Sequence, residues 1–147
     1  MRHWAFLAAV LVMGSAGCGG GTSGRTQAMD AQASPTASAA SFVGEDPYIP
    51  LLKGRPQTCG MRSGRVLLKQ GEDCGEHTTG AHEECLVILE GRGEARIKGR
   101  EPVAVAAGQA VYIPPHTTHC VYNVDCPVLR YVYVVAPVAW ANDTDPH

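Results

Sequence analysis

The chain has 147 residues, of which 18% are charged, and its formal net charge is −2. This length predicts one domain, because most domains have about 100–150 residues. The near-neutral balance has no basic stripe and argues against nucleic-acid binding. The 17 glycines and 10 prolines are typical of turn-rich β structure or of an unstructured segment, and we expect both here.

The first 17 residues are typical of a secretory signal peptide. Arg2 supplies positive charge, and Trp4 to Met13 is an apolar run of ten residues, too short for a bilayer span of about 20. The segment from Ser15 to Cys18 resembles the lipobox of bacterial lipoproteins, which implies lipidation at Cys18. We therefore expect an exported, membrane-anchored lipoprotein, in the periplasm or on the cell surface. The alternative is an ordinary cleaved signal in which Cys18 is incidental.

Residues 18–44 are predicted to be the lipid-attachment cysteine and a flexible linker. Of the 23 residues from Gly19 to Ser41, 17 are Gly, Ala, Ser or Thr, and such a segment has little to bury. Residues 45–147 form the predicted folded domain. It opens with a proline-bearing segment, Asp46 to Leu52, which is typical of an edge strand or a clasp on the domain.

Short strand candidates follow at close intervals. Glycine-containing segments between them predict turns, at Gly91-Arg92-Gly93, Gly99-Arg100 and Ala107-Gly108. This pattern predicts an all-β, antiparallel sandwich or barrel. The candidates are Arg65–Lys69, Cys85–Leu89, Glu94–Ile97, Val103–Ala106, Ala110–Ile113, His119–Val124 and Leu129–Val135.

Metal-binding side chains gather between Gly71 and Gly91. His77 ends a polar loop, and His82 and Glu84 are two residues apart, so they share a face where the backbone is extended. Cys85 to Leu89 reads as a buried strand. Imidazole and carboxylate groups on one side of a strand are typical of a metal site, although polar loop residues that only add solubility would look similar.

A second stretch, from Gly108 to Asn123, pairs with the first. Together the two stretches resemble the paired sequence motifs of the cupin superfamily, across about Arg65 to Val135. The resemblance implies a small antiparallel jelly-roll β-barrel with a metal inside. The matching positions are Gly71, His77, Glu84 and Gly91 in the first motif, and Gly108, Pro114, His119 and Asn123 in the second.

One ligand of the cupin set is missing. The family places a second histidine where this chain has Thr79, a weak neutral ligand. His82 is the candidate to replace it, and His116 is the other spare histidine. The predicted metal ligands are His77, His82, Glu84 and His119. They would hold a divalent transition metal ion, such as iron, manganese, zinc or nickel, with positions left open. A cupin that has lost its metal and binds a ligand by shape is the alternative.

Strand alternation predicts which side chains line the interior. With His119 inward, Val121 and Asn123 also point inward, and Cys120 and Tyr122 point out. With Glu84 pointing inward, Leu86 and Ile88 also point inward, while Glu83 points out.

Five cysteines follow Cys18, and disulfides are permitted in an exported protein. Two bridges among five cysteines allow about 15 pairings, so the sequence leaves the pairing open. Cys59, Cys74 and Cys126 are the most accessible to bridging by sequence position. Cys85 and Cys120 directly follow two proposed ligands, which predicts packing residues or a cross-strand bridge rather than thiolate ligands.

Two functions fit these features. The first is an exported cupin metalloenzyme, for which the resemblance implies an oxygenase, decarboxylase or isomerase acting on a small organic molecule. The second is a non-catalytic cupin module that captures a metal or a small ligand at the membrane surface. The predicted partners are a small-molecule ligand or substrate and, through the lipid anchor alone, the membrane. A homodimer is implied by the resemblance only.

Overall fold

A computed structural model describes residues 34–138, and no helix within that range could cross a membrane. Residues 1–33 and 139–147 lie outside the described residues. The first range contains the predicted signal peptide (1–17), Cys18 and the predicted linker up to residue 33. Residues 34–43 are exposed and contain no strand.

The described chain contains nine strands in two sheets. The five-stranded sheet has the order β1-β2-β9-β4-β7, and the four-stranded sheet has the order β3-β8-β5-β6. The strands are β1 (Tyr48–Lys53), β2 (Arg62–Lys69), β3 (His77–Thr78), β4 (His82–Glu90), β5 (Arg92–Ile97), β6 (Val103–Ala106), β7 (Ala110–Ile113), β8 (Thr118–Tyr122) and β9 (Val128–Pro137). All the pairings between them are antiparallel.

The predicted all-β, antiparallel jelly roll is confirmed, but its two sheets face each other without closing into a continuous barrel. All seven predicted strands are present within longer or similar bounds, and the segment from Asp46 contains an edge strand, β1, as expected. The additional strand is β3, which has only two residues and carries too short a pattern to be predicted.

The core lies between the two sheets. It combines apolar side chains from the inner faces of both, and the predicted alternation is confirmed at Leu86, Ile88, Val121 and Asn123. The cluster consists of Val66, Leu68, Cys74, Leu86, Ile88, Ala95, Val105, Ile113, Val121, Leu129 and Tyr131.

Glycines make the three predicted turns. Gly91, Gly99 and Gly108 all have positive φ, which glycine adopts without the steric cost that other residues meet. Gly91 has a second constraint, because a Cβ atom there would overlap the carbonyl oxygen of Val128.

A buried arginine fastens the start of the domain. Arg65, in the middle of β2, is fully buried. Its Nη1 donates to the Asp46 carbonyl at 2.6 Å, and its Nη2 donates to the Gly44 carbonyl at 2.7 Å. These are charge-assisted bonds, which are stronger than bonds between neutral groups. The segment before β1 is therefore held to the interior of the sheet and not only to its edge.

Asn123 closes the loop between β8 and β9. The side chain is fully buried. Its Nδ2 donates to the carbonyls of Leu68 at 2.9 Å and Cys126 at 3.0 Å, and its Oδ1 accepts from the Cys126 amide at 3.1 Å. The inward direction predicted for Asn123 therefore serves the backbone of this loop.

We expect Asn123→Ala to lower the free energy of unfolding by about 2–4 kcal/mol. Three hydrogen bonds disappear, and their backbone partners are too buried for water to replace the lost amide. Urea unfolding followed by circular dichroism measures this. The neighbouring exposed residue provides the control, since Val124→Ala should change the stability by less than about 0.5 kcal/mol. Similar losses in both variants would contradict a supporting role for the Asn123 amide.

Candidate metal centre

Three side chains that could hold a metal ion converge from both sheets. His77 lies on β3 and His119 on β8, and these two residues pair directly across their strands. Glu84 lies on β4 of the facing sheet. One donor atom from each of the three lies within 4.8 Å of the others. The centre is therefore assembled by the packing of the two sheets.

The burial of the three groups is graded. His119 and Glu84 are buried, at 1% and 5% exposure, whereas the His77 side chain is 43% exposed. Glu84 and His119 face inward because side chains alternate along a strand, and Leu86 and Val121, two residues further on, share their faces and lie in the core. His77 lies at the outer side of the centre, on the approach from solvent.

Backbone carbonyls orient both histidines in the same way. The Nδ1 of His77 lies 2.9 Å from the Gly75 carbonyl, and the Nδ1 of His119 lies 3.3 Å from the Thr117 carbonyl. A carbonyl can only accept, so each Nδ1 carries the hydrogen and donates it. In a neutral ring this leaves the Nε2 lone pair available, which is how metal-binding histidines are usually fixed.

The two Nε2 atoms converge on Glu84. Its Oε2 lies 3.1 Å from Nε2 of His119 and 4.0 Å from Nε2 of His77. The contact with His119 lacks hydrogen-bond geometry, and that Nε2 is a buried nitrogen with no hydrogen-bond partner. A buried polar atom without a partner is unfavourable. A cation between the three donors would satisfy it, so the donor set fits a divalent metal.

His82 does not join this group. It is the first residue of β4, so the strand has begun by residue 82, and it shares the parity of Glu84. It is half-buried and pairs with Pro137 of β9, but its ring is not among the donors that converge. Its role as a fourth ligand stays a prediction.

His116 is also separate. It lies in the turn between β7 and β8 with a φ of 55°, and its amide donates to the Gly80 carbonyl at 2.7 Å. The residue lines a different cleft of about 390 Å³, together with Lys98 and Tyr112.

Thr79 has a structural task in place of the missing histidine. The residue is buried. Its hydroxyl donates to the Pro114 carbonyl at 2.9 Å and accepts from the Thr117 amide at 3.0 Å. The hydroxyl therefore ties the segment after β3 to the turn before β8, which keeps the two histidine-bearing strands together.

Cys74 interacts with His77 at the edge of the donor group, although its position in a loop predicted only a cysteine that could form a bridge. Its thiol is buried, and the Val121 amide donates to its Sγ at 3.2 Å. A hydrogen bond from the His77 ring to the Cys74 sulfur is the main cause that raises the pKa of His77 to about 9, and the Gly75 carbonyl adds to it. The pKa of Cys74 falls to about 4, chiefly because the Cys120 thiol hydrogen-bonds to it. The only sequence signal was its position three residues before His77.

These two pKa shifts act on stability in opposite directions. The raised pKa of His77 contributes stability that is complete below pH 6.5 and is lost as the pH rises to about 9. The lowered pKa of Cys74 contributes stability that is complete above pH 9.0 and is lost as the pH falls to about 4. Between pH 6.5 and 9 the folded and unfolded pairs each bind one proton, so their contributions offset each other.

We therefore expect the metal-free protein to lose no stability through this pair between pH 6.5 and 9, and to lose stability from pH 6.5 down to about 4. In Cys74→Ser the thiol is gone and His77 loses the main cause of its raised pKa, so the stability of that variant should fall less than that of the wild type between pH 6.5 and about 4. Urea unfolding at pH 5, 6.5, 7.5 and 9 in the presence of a chelator provides the measurement. Parallel pH curves for the two proteins would contradict the coupling between Cys74 and His77.

A family model described as a cupin domain matches residues 64–135. The chain belongs to the cupin superfamily. The match spans both motif stretches, so the resemblance drawn from His77, Glu84 and His119 is confirmed at the level of the family. No curated protein matches the chain.

Solved structures from other organisms share the fold. A predicted oxalate decarboxylase from Thermotoga maritima is 23% identical, covering 62% of this chain and 79% of its own, with a TM-score of 0.57. An RmlC-like cupin with a double-stranded β-helix fold from Methanocaldococcus jannaschii is 20% identical, covering 69% and 91%, with a TM-score of 0.59. A protein of unknown function from Streptococcus pyogenes is 19% identical, covering 70% and 97%, with a TM-score of 0.56.

Proposed function

We propose that this cupin is a divalent-metal protein whose ion is held by His77, Glu84 and His119. One observation carries the proposal, namely the buried Nε2 of His119, which has no hydrogen-bond partner and lies 3.1 Å from the Glu84 carboxylate. Two imidazole nitrogens and one carboxylate oxygen suit iron, manganese, zinc or nickel. The set of two histidines and one carboxylate is the one that non-haem iron proteins use, which favours iron among these four.

Three protein ligands leave coordination positions for a small molecule, and this supports an enzyme. When bound, the metal would supply a Lewis acid and a template for substrate oxygens, the chemistry that oxygenases, decarboxylases and isomerases of small organic molecules need. The protein's own contribution is orientation, because the Gly75 and Thr117 carbonyls fix both imidazole rings before any ligand arrives. The fold shared with a predicted oxalate decarboxylase is consistent with a small organic acid as the substrate class.

A non-catalytic binding module is the second candidate, and Thr79 favours it. The hydroxyl that occupies the missing histidine's position already makes two hydrogen bonds to the backbone, so it offers little to a metal. Turnover assays with small organic acids and phenols, including oxygen consumption, separate the two candidates. Stoichiometric metal without turnover of any tested class would favour the binding module.

We expect His77→Ala, Glu84→Ala and His119→Ala each to lower metal affinity at least about tenfold, because ligand loss costs no less than the loss of a supporting residue. Metal content of protein purified without added metal, measured by plasma mass spectrometry, and titration with Fe²⁺, Mn²⁺ and Zn²⁺ provide the readouts. Glu83→Gln is the matched control, since this exposed carboxylate points outward and lies near the Tyr112 hydroxyl. Unchanged metal content in all three ligand variants would exclude the proposed centre.

His82→Ala and His116→Ala extend the same experiment to the predicted fourth ligand. With three protein ligands, both variants should retain the wild-type affinity. A loss in His82→Ala comparable to that in His119→Ala would mean that His82 moves toward the metal on binding.

Export and lipid anchoring also belong to the proposal, and they rest on the first 18 residues alone. We expect Cys18→Ser to move the protein from the membrane fraction to the soluble fraction and to abolish incorporation of labelled palmitate. The reason is that acyl chains attached to Cys18 would anchor the protein at the membrane surface. Ser15→Ala, which keeps a small residue before the cysteine, is the control that should remain in the membrane fraction. Soluble wild-type protein without label would contradict the anchor.

A further inference from the structure

Two cysteine thiols, those of Cys74 and Cys120, lie close in the chain to two of the proposed metal ligands. The five cysteines from Cys59 to Cys126 are all unbonded. Cys74 is buried and Cys120 is half-buried. The interaction between the two side chains is the largest influence on both of their pKa values, lowering that of Cys74 and raising that of Cys120. No step of the proposed metal chemistry uses them.

Backbone pairing holds the two cysteines beside each other. Asp73 and Tyr122 form an isolated antiparallel bridge. One residue further on, the Cys74 amide donates to the Val121 carbonyl at 3.1 Å, and the Val121 amide donates back to the Cys74 Sγ at 3.2 Å. The Cys74 sulfur thus lies against the peptide that joins Cys120 to Val121. The closeness of the two cysteines therefore follows from backbone pairing.

We propose that Cys74 and Cys120 are an oxidisable dithiol, which a small-molecule disulfide converts to an intramolecular disulfide. Cys120 is the entry point because it is the more exposed of the two. Neighbouring sulfur atoms on paired backbone segments are the arrangement from which a disulfide forms with little backbone movement. If the chain is exported, as proposed above, its compartment permits such a bond.

The reaction is thiol–disulfide exchange in two steps. The Cys120 sulfur loses its proton, attacks one sulfur of the small disulfide and releases one small thiol, which leaves a mixed disulfide on Cys120. The Cys74 thiolate then attacks the Cys120 sulfur and releases the second small thiolate, which takes up a proton from solvent. In total one protein thiol, one protein thiolate, one proton and one small disulfide give one protein disulfide and two small thiols.

The bond would join the segments that carry two metal ligands. Cys74 precedes His77 by three residues, and Cys120 directly follows His119. A covalent link at this point fixes the loop before β3 to β8, where His77 and His119 already pair. The oxidised protein should therefore unfold at a higher temperature than the reduced protein, because the link constrains the unfolded chain.

Mass spectrometry after oxidation tests the proposal. The full chain, solubilised in detergent, is reduced, freed of metal with a chelator and treated with oxidised glutathione. Trypsin leaves Cys74 with Cys85 on one peptide and Cys120 with Cys126 on another, so Asp-N and Glu-C are added to separate the four. We expect the loss of two hydrogens and a cross-linked peptide pair that contains Cys74 and Cys120.

Single variants resolve the two steps. Cys74→Ser should accumulate one glutathionyl group on Cys120, since the resolving thiol is absent, whereas Cys120→Ser should leave the buried Cys74 reduced. Cys59→Ser, which removes an exposed thiol elsewhere, should form the wild-type cross-link. The proposal is wrong if the treated wild-type protein retains both thiols in alkylatable form, if it stays glutathionylated on Cys120, or if Cys74 links to another cysteine.

Discussion

Packing two sheets face to face obliges every polar group that turns inward to find its hydrogen bonds within the space between them. Around the centre this obligation is met by short links to the backbone. Asn123 closes the loop after β8, Thr79 holds the turn before β8, and the Gly75 and Thr117 carbonyls take the Nδ1 hydrogens of the two histidines. The Nε2 of His119 has no hydrogen-bond partner, and the orientation of its ring directs this nitrogen at Glu84. The metal proposal depends on this unpaired nitrogen.

The proton that His77 holds and the metal that it would bind compete for the same ring. The Cys74 side chain raises the pKa of His77 to about 9, so near neutral pH the ring must release a proton before its Nε2 can coordinate. A buried thiol would therefore influence metal affinity without touching the ion. The proposed disulfide with Cys120 would link the candidate metal centre to the oxidation state of the chain, since a sulfur engaged in a disulfide can no longer carry negative charge beside the imidazole.

Period-two alternation made the all-β fold predictable, and the resemblance to the cupin motifs supplied the jelly-roll topology and the ligand position of His119. Glu84 and His119 share faces with Leu86 and Val121, which are apolar enough to identify the interior. Alternation predicts which face of a strand a side chain lies on but not how far along the strand it lies. His82 is two residues from Glu84, and its ring nevertheless lies apart from the donors. β3 is two residues long and has no period to read. The tasks of Thr79 and Cys74 arise from contacts with residues 35 and 47 positions away in the chain, which no local pattern encodes.

The attachment of Arg65 to the carbonyls of Gly44 and Asp46 determines how the domain would bear a mechanical load. A pull on the chain before Gly44 would otherwise act at the end of the edge strand β1 and peel it from β2 one hydrogen bond at a time. With the guanidinium in place, the force passes directly to the centre of β2, which is paired on both of its sides. Many hydrogen bonds then resist together, as they do when strands are sheared. A domain on a tether would gain in this way a fixed point that shields its edge strand from tension.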